Sequence, residues 1–156
     1  MWRKSLLLSW LPAVLLALSG FGSAAAPPQA AAAVLGEFGL LGTWSIDCSH
    51  PPSVTNSYAI FRVPAAGFPS ETFHAGAGYT DNVYTIQGVE RPAADRLMLH
   101  MVFESNGNRQ DSLIVKSNSR IRTWWSRRQD GTITVSDGKI HTAADRPTDW
   151  LTRCGD

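Results

Sequence analysis

Between Leu41 and His141 the chain is a series of short β-branched or aromatic runs separated by turn signals, and no stretch keeps a 3.6-residue period over helix length. The runs are Thr43–Asp47, Tyr58–Val63, Thr72–Thr80, Val83–Val89, Arg96–Glu104, Ser112–Lys116, Arg120–Arg128 and Thr132–Ser136, with a short return at Lys139–His141. In Arg96–Glu104 the apolar residues Leu97, Leu99, Met101 and Phe103 alternate, as expected of a half-buried strand. Asn106-Gly107, Asp130-Gly131 and Asp137-Gly138 supply the positive φ angles of tight hairpins, with weaker versions at Asp81-Asn82 and Ser117-Asn118-Ser119. A parallel βαβ architecture is therefore excluded. About eight strands at near-even spacing predict a single all-β domain, an antiparallel meander.

A meander has two exposed edges, and closing it into a barrel pairs its first strand with its last. The two cysteines ask for the same closure. Cys48 and Cys154 stand near opposite ends of the domain and are the chain's only cysteines. In an oxidising compartment they are expected to pair, which brings their Cα atoms within about 7 Å. A barrel is the expected form, with a two-sheet β-sandwich as its alternative.

The oxidising compartment is itself read from the sequence. Residues 1–26 have the layout of a secretory signal peptide: Arg3 and Lys4, an apolar run from Leu6 to Leu18, then Ser23-Ala24-Ala25-Ala26. The run is shorter than the roughly 20 residues of a spanning helix, so no stable membrane span is expected after cleavage. Residues 27–35, rich in Ala, Pro and Gln, read as a flexible leader, and 36–156 as the domain. The expected location is the periplasm or the exterior. Loss of Arg3 and Lys4 takes the formal charge from +1 to −1, which argues against nucleic-acid binding.

Phe38-Gly39-Leu40-Leu41-Gly42-Thr43-Trp44 resembles the opening of lipocalin-type and other calycin barrels, whose Gly-x-Trp motif starts the first strand. Gly42 and Trp44 match that motif. The resemblance implies a Trp that plugs the closed end against an Arg from a late strand, here Arg120, Arg122 or Arg153, and a small apolar ligand inside the barrel. The chain is also similar to small uncharacterised exported bacterial proteins, through Gly42 to Cys48 and Trp150 to Cys154.

Motifs of known catalytic machinery are missing: no Gly-x-Ser-x-Gly elbow, His-Glu-x-x-His, phosphate loop or dinucleotide fingerprint occurs. Gly76-Ala77-Gly78, inside a strand-like run, suggests a bend or close packing. His50, His74, His100 and His141 do not fall at metal-ligand spacing, so no metal is expected. Glu71, Glu90 and Glu104 fall near strand ends, where charge keeps edges soluble. Strict alternation through Arg120–Arg128 puts Trp125 in the core with Ile121, and Trp124 beside Arg122, where guanidinium and indole would stack.

The expected function is non-enzymatic: an exported barrel holding a small, partly apolar ligand. Phe73, Tyr79, Tyr84, Phe103 and Trp124 would form the walls, and His100 or Arg122 would orient a polar group. The alternative is a filled barrel acting through its surface, as a protease inhibitor or an accessory subunit in the envelope. Its contact loops would be 64–70, with Phe68 as anchor, and 90–95. Cofactor and ligand identity are not encoded in any motif.

Overall fold

The computed structural model describes residues 27–155; the expected signal peptide, 1–26, lies outside them. One helix, α1 (Pro28–Phe38), precedes the strands β1 (Gly42–Ser45), β2 (Tyr58–Arg62), β3 (Ser70–His74), β4 (Asn82–Ala93), β5 (Arg96–Phe103), β6 (Arg109–Ser117) and β7 (Arg120–Arg128). The short strands β8 (Ile133–Ser136), β9 (Lys139–Ile140), β10 (Arg146–Pro147) and β11 (Leu151–Arg153) complete the chain. Neighbours pair in the order β7-β11-β1-β2-β3-β4-β5-β6, and β6 pairs back onto β7, which closes an eight-stranded antiparallel barrel. A closed ring replaces the sandwich alternative.

The strand completing the ring is β11, not the expected Thr132–Ser136 run. Trp44 stands opposite Arg153 in β1–β11, and Leu151 opposite Ile121 in β11–β7. β8 pairs only with the other end of β7, at Ser126 and Arg127, and carries β9 and β10 as a side ribbon. The same edge of β7 thus serves β11 at one end and the ribbon at the other. Cys48 and Cys154 form a disulfide with Cα atoms 5.3 Å apart, and Cys154 N–H donates to Thr43 O at 2.8 Å.

The segment read as a flexible leader is helical. Pro28 occupies the first turn, where a missing N–H costs nothing, and the alanines that follow have the highest helix propensity. Ala31, Leu35 and Phe38 fall on one face and are buried. Gly39, at φ 76°, ends the helix in the left-handed conformation, and Leu40 N–H returns to Leu35 O at 2.9 Å. Burial of those three side chains, which composition alone does not announce, holds the helix in place.

The core runs from the helix end of the barrel along β4 and β5 as far as Ile86 and Met101. Leu35, Phe38 and Leu40 pack with Trp44, Phe61, Leu97, Leu99, Ile114 and Ile121. Trp44 Nε1–H donates to Leu40 O at 2.7 Å, so the buried indole keeps its hydrogen bond. Of the three late-strand arginines, Arg153 stands opposite Trp44 in the ladder, with its guanidinium over Gly42. Lys116 Nζ donates to Phe38 O at 2.9 Å, satisfying a carbonyl at the helix end.

Several boundaries differ from the sequence reading. Gly76 and Gly78, at φ 89° and 87°, lie in a loop beyond β3, not within a strand. β4 runs through Pro92 to Ala93, with its pairing to β5 irregular between Glu90 and Ala93, the kind of place where a strand tolerates proline. Residues 90–95 are thus mostly hairpin and not a loop. Asn118 and Ser119 both take positive φ, the geometry of a tight hairpin turn.

Candidate functional site

Opposite the packed end, the inward side chains change character. On β3, Glu71 and Phe73 alternate with the residues facing outward; Glu71 stands opposite Phe61 on β2 and Tyr84 on β4. On β6 the inward residues are Gln110, Ser112 and Ile114. β7 contributes Ile121 and Thr123 and then Ser126, because a bulge lies between the Leu113–Trp125 and Ile114–Thr123 pairs. The extra residue is Trp124.

That bulge corrects one assignment. Strict alternation from Ile121 placed Trp125 in the core; the inserted residue shifts the phase by one, so Ser126 points inward and is buried. Trp125 pairs with Leu113 on the outer face and carries the Arg127 guanidinium 5.5 Å from its ring.

The result is a hollow of about 220 Å³, lined by Glu71, Phe73, Gln110, Ser112, Ile114, Thr123, Ser126, Thr134, Val135, Ile140 and Thr148. The β8–β9 ribbon supplies the wall that β1 and β11 are too short to reach, through Thr134, Val135 and Ile140. Hydroxyl and amide groups bond to one another around it. Gln110 Nε2 donates to Ser112 Oγ at 3.2 Å, the Ser112 and Ser126 hydroxyls lie 3.1 Å apart, and Thr148 Oγ1 donates to Thr123 O at 2.7 Å.

Glu71 is the one ionisable side chain of this lining and is only 4% exposed. Among the described residues no donor reaches its carboxyl. Burial pushes its pKa up to about 8, so the acid is mostly neutral at pH 7. Tyr84, opposite it, is likewise raised, first by burial and then by the Glu71 charge, with Arg128 acting against both.

The sequence reading missed Glu71. Its strand was expected to start at Thr72, which left Glu71 at an edge; β3 starts at Ser70. The available signal was the Glu71–Phe73 spacing: a residue two before an inward aromatic shares its face.

The expected ligand residues divide. Tyr84 and Phe103 come together, stacked at 4.8 Å, with Phe73 edge-on to Tyr84 at 6.3 Å. They stand at the open end, where Tyr84 and Phe103 line a wider depression of about 630 Å³ with Arg109, Gln110 and Arg128. Tyr79 is 59% exposed on the loop after β3 and contributes no wall.

His100 faces outward, because Leu97, Leu99 and Met101 hold the inner phase of β5. Its Nδ1 lies 2.8 Å from Asp111 and its Nε2 3.2 Å from Glu90, and Asp111 also accepts from Arg127 at 2.9 Å. Partial burial opposes charge on the ring, but hydrogen bonds to the two carboxylates outweigh it and raise the pKa.

Arg122 and Trp124 also lie outside the hollow. The Arg122 guanidinium is sandwiched between Trp124 at 4.8 Å and Trp150 at 4.6 Å and packs against Gly138. The expected stacking is present, and it ties β7 to the segment leading into β11. Phe68 is half-buried and so is not a free anchor.

Ser136, His141 and Asp145 form a further cluster. Ser136 Oγ lies 2.7 Å from His141 Nε2, and His141 Nδ1 lies 2.7 Å from Asp145 Oδ1. This is the connectivity of a nucleophilic triad. None of the three lines the hollow, which the β8–β9 ribbon meets through Thr134, Val135 and Ile140. His141 and Asp145 side chains are 42% and 63% exposed. Among the described residues no group of three or more His, Cys, Asp or Glu is placed to hold a metal ion.

Fold and hollow together define a closed antiparallel β-barrel, packed at one end and hollow with a mixed lining at the other, compatible with a lipocalin-like barrel. The chain matches no protein-family model, no curated protein and no solved structure.

Proposed function

We propose that this protein is an exported, non-enzymatic binder of a small, partly apolar ligand, held in the hollow between β3, β6, β7 and the β8–β9 ribbon. The carrying observation is that the hollow is left open, with hydroxyls and an acid set beside apolar side chains, while the opposite end is tightly filled. Larger apolar side chains at Ser112, Ser126 and Thr123 would contribute about 0.8 kcal/mol for each CH₂ they bury. The chain instead places short hydroxyl-bearing residues there, around an unpaired acid. Phe73, Ile114, Val135 and Ile140 offer an apolar wall, and the hydroxyls and Glu71 offer a polar one. A ligand with both kinds of surface fits this lining. The disulfide supports an extracytoplasmic setting, periplasmic or secreted.

The test is native mass spectrometry of the disulfide-intact protein exported by its host. The expected result is a non-covalent adduct of small mass that is lost on denaturation. A bare chain, whose Ser112, Ser126 and Thr134 NMR signals are also unmoved by a library of small metabolites, would overturn the reading. A partner chain in place of the adduct would favour the surface-acting alternative.

A further inference from the structure

We infer, resting on that reading, that the hollow takes a small organic cation: an ammonium group on a short apolar stem, with the ammonium paired to Glu71. Three observations converge on this class.

The lining contains one ionisable group, and it is an acid. Among the described residues none of the lining's hydrogen bonds goes to its carboxyl: Gln110 donates to Ser112, Thr148 to Thr123 O, and Thr134 to Ser126 O at 3.5 Å. The nearby cations stay at the rim. Arg109 and Arg128 line the outer depression but not the hollow, and neither forms an ion pair with Glu71. An acid buried without a partner is costly to the fold, and a cation arriving with the ligand is what would relieve that cost.

Geometry then narrows the cation. About 220 Å³ corresponds to the share of about seven waters, which suits a compact molecule and not a lipid or peptide. An ammonium carries three donors and no acceptor. Glu71 receives one, and the Ser112 and Ser126 oxygens keep lone pairs for the others. The stem then lies against Phe73, Ile114, Val135 and Ile140. An anion of the same size would meet Glu71 with no counter-charge in the lining.

Binding carries a proton balance. In the empty barrel Glu71 holds a proton over most of the range below pH 8. Pairing with an ammonium that remains charged requires its release, so up to one proton goes to solvent per ligand bound, and affinity rises with pH towards 8. Tyr84 on β4 and Arg128 on β7 are the other titratable or charged groups facing this acid. Tyr84 stays neutral below its raised pKa, so it does not account for a proton released near neutrality.

The experiment uses the disulfide-intact protein and three probes of one shape: butylammonium, 1-butanol and butyrate. Binding is followed by NMR titration, and calorimetry in two buffers of different ionisation enthalpy counts protons. The expected result is butylammonium at least tenfold tighter than butanol at pH 7.5, no binding of butyrate, and release of about three quarters of a proton, the share that Glu71 still holds at that pH. In Glu71→Gln the ammonium should fall to the level of butanol. Equal binding of ammonium and butanol, unchanged by Glu71→Gln, would overturn the cation assignment and leave the hollow as a ligand site. Failure of all three probes to shift Ser112, Ser126 or Thr134 would overturn the cation assignment together with the site.

Discussion

The clearest energetic consequence of the barrel interior is a pH dependence of stability attached to one residue. Glu71 has an ordinary pKa of 4.5 in the unfolded chain and about 8 in the fold, raised by burial. Between those values the folded state binds more protons than the unfolded state, so stability falls as pH rises. The shift spans about 3.5 units at 1.36 kcal/mol each, or about 5 kcal/mol in full, of which about 3.4 kcal/mol is already lost at pH 7. Below pH 4.5 both states are protonated and the loss disappears.

Glu71→Gln keeps the shape and removes the titration. Urea unfolding followed by tryptophan fluorescence, at half-unit steps from pH 4.5 to 8, measures the two proteins side by side. The wild-type free energy should decline steadily relative to the variant, with the difference flattening only near pH 8. Other groups titrate in this range, His100 among them, but they are common to both proteins and cancel in the difference. A difference that stays constant to within about 0.5 kcal/mol, the usual size of a neutral surface change, would refute the burial argument. It would mean that Glu71 turns its carboxyl to water in solution.

Three further outcomes are expected. Replacing Cys48 and Cys154 together by alanine frees a loop of sequence separation 106, costing about 5 kcal/mol in the chain-entropy account; a thermal midpoint unchanged by the replacement would refute closure by the bridge as a stabilising device. His100 contributes stability that is complete below pH 6.5 and is lost as pH rises through its raised folded pKa. His100→Gln should remove that loss, and because the ring is 41% exposed the effect should stay below about 1 kcal/mol in the same urea series. Ser136, despite its hydrogen bond to His141, should take up no fluorophosphonate above the level of Ser136→Ala; labelling that is also abolished by His141→Gln would overturn the non-enzymatic reading.

The barrel was legible because alternation and turn chemistry are local. Leu97, Leu99, Met101 and Phe103 announce β5 within eight residues, and Asp137-Gly138 announces a hairpin within two. The closing strand was not legible for the same reason. β11 has three residues, and its place between β7 and β1 is decided by pairing with Ile121 and Trp44, far away in the chain. Helix α1 was hidden by its alanines, which show no polar face against which Leu35 and Phe38 would stand out.

The site was harder to read than the fold because its phase depends on single residues. One inserted residue at Trp124 exchanges Trp125 for Ser126 on the inner face. That substitutes a hydroxyl for an indole, and it is much of the reason a hollow exists on β7. Moving the start of β3 by two residues takes Glu71 from a soluble edge to the barrel interior. Neither change touches composition or turn signals, so neither could be seen without the register.

The same register explains how the fold tolerates a cost of this size. The unpaired acid and hydroxyl cluster lie where β1 and β11 have ended and the β8–β9 ribbon forms the wall. The apolar packing of α1, Trp44 and Leu97 lies at the other end. Each fully buried side chain of that cluster contributes roughly 1.5–3 kcal/mol, so two or three of them offset the whole pH-dependent loss at Glu71. Placing α1 over the closed end therefore does more than plug it. It supplies the stability that lets the opposite end remain open, and removing residues 27–38 should unfold the barrel near pH 8 while leaving it marginally folded near pH 4.5.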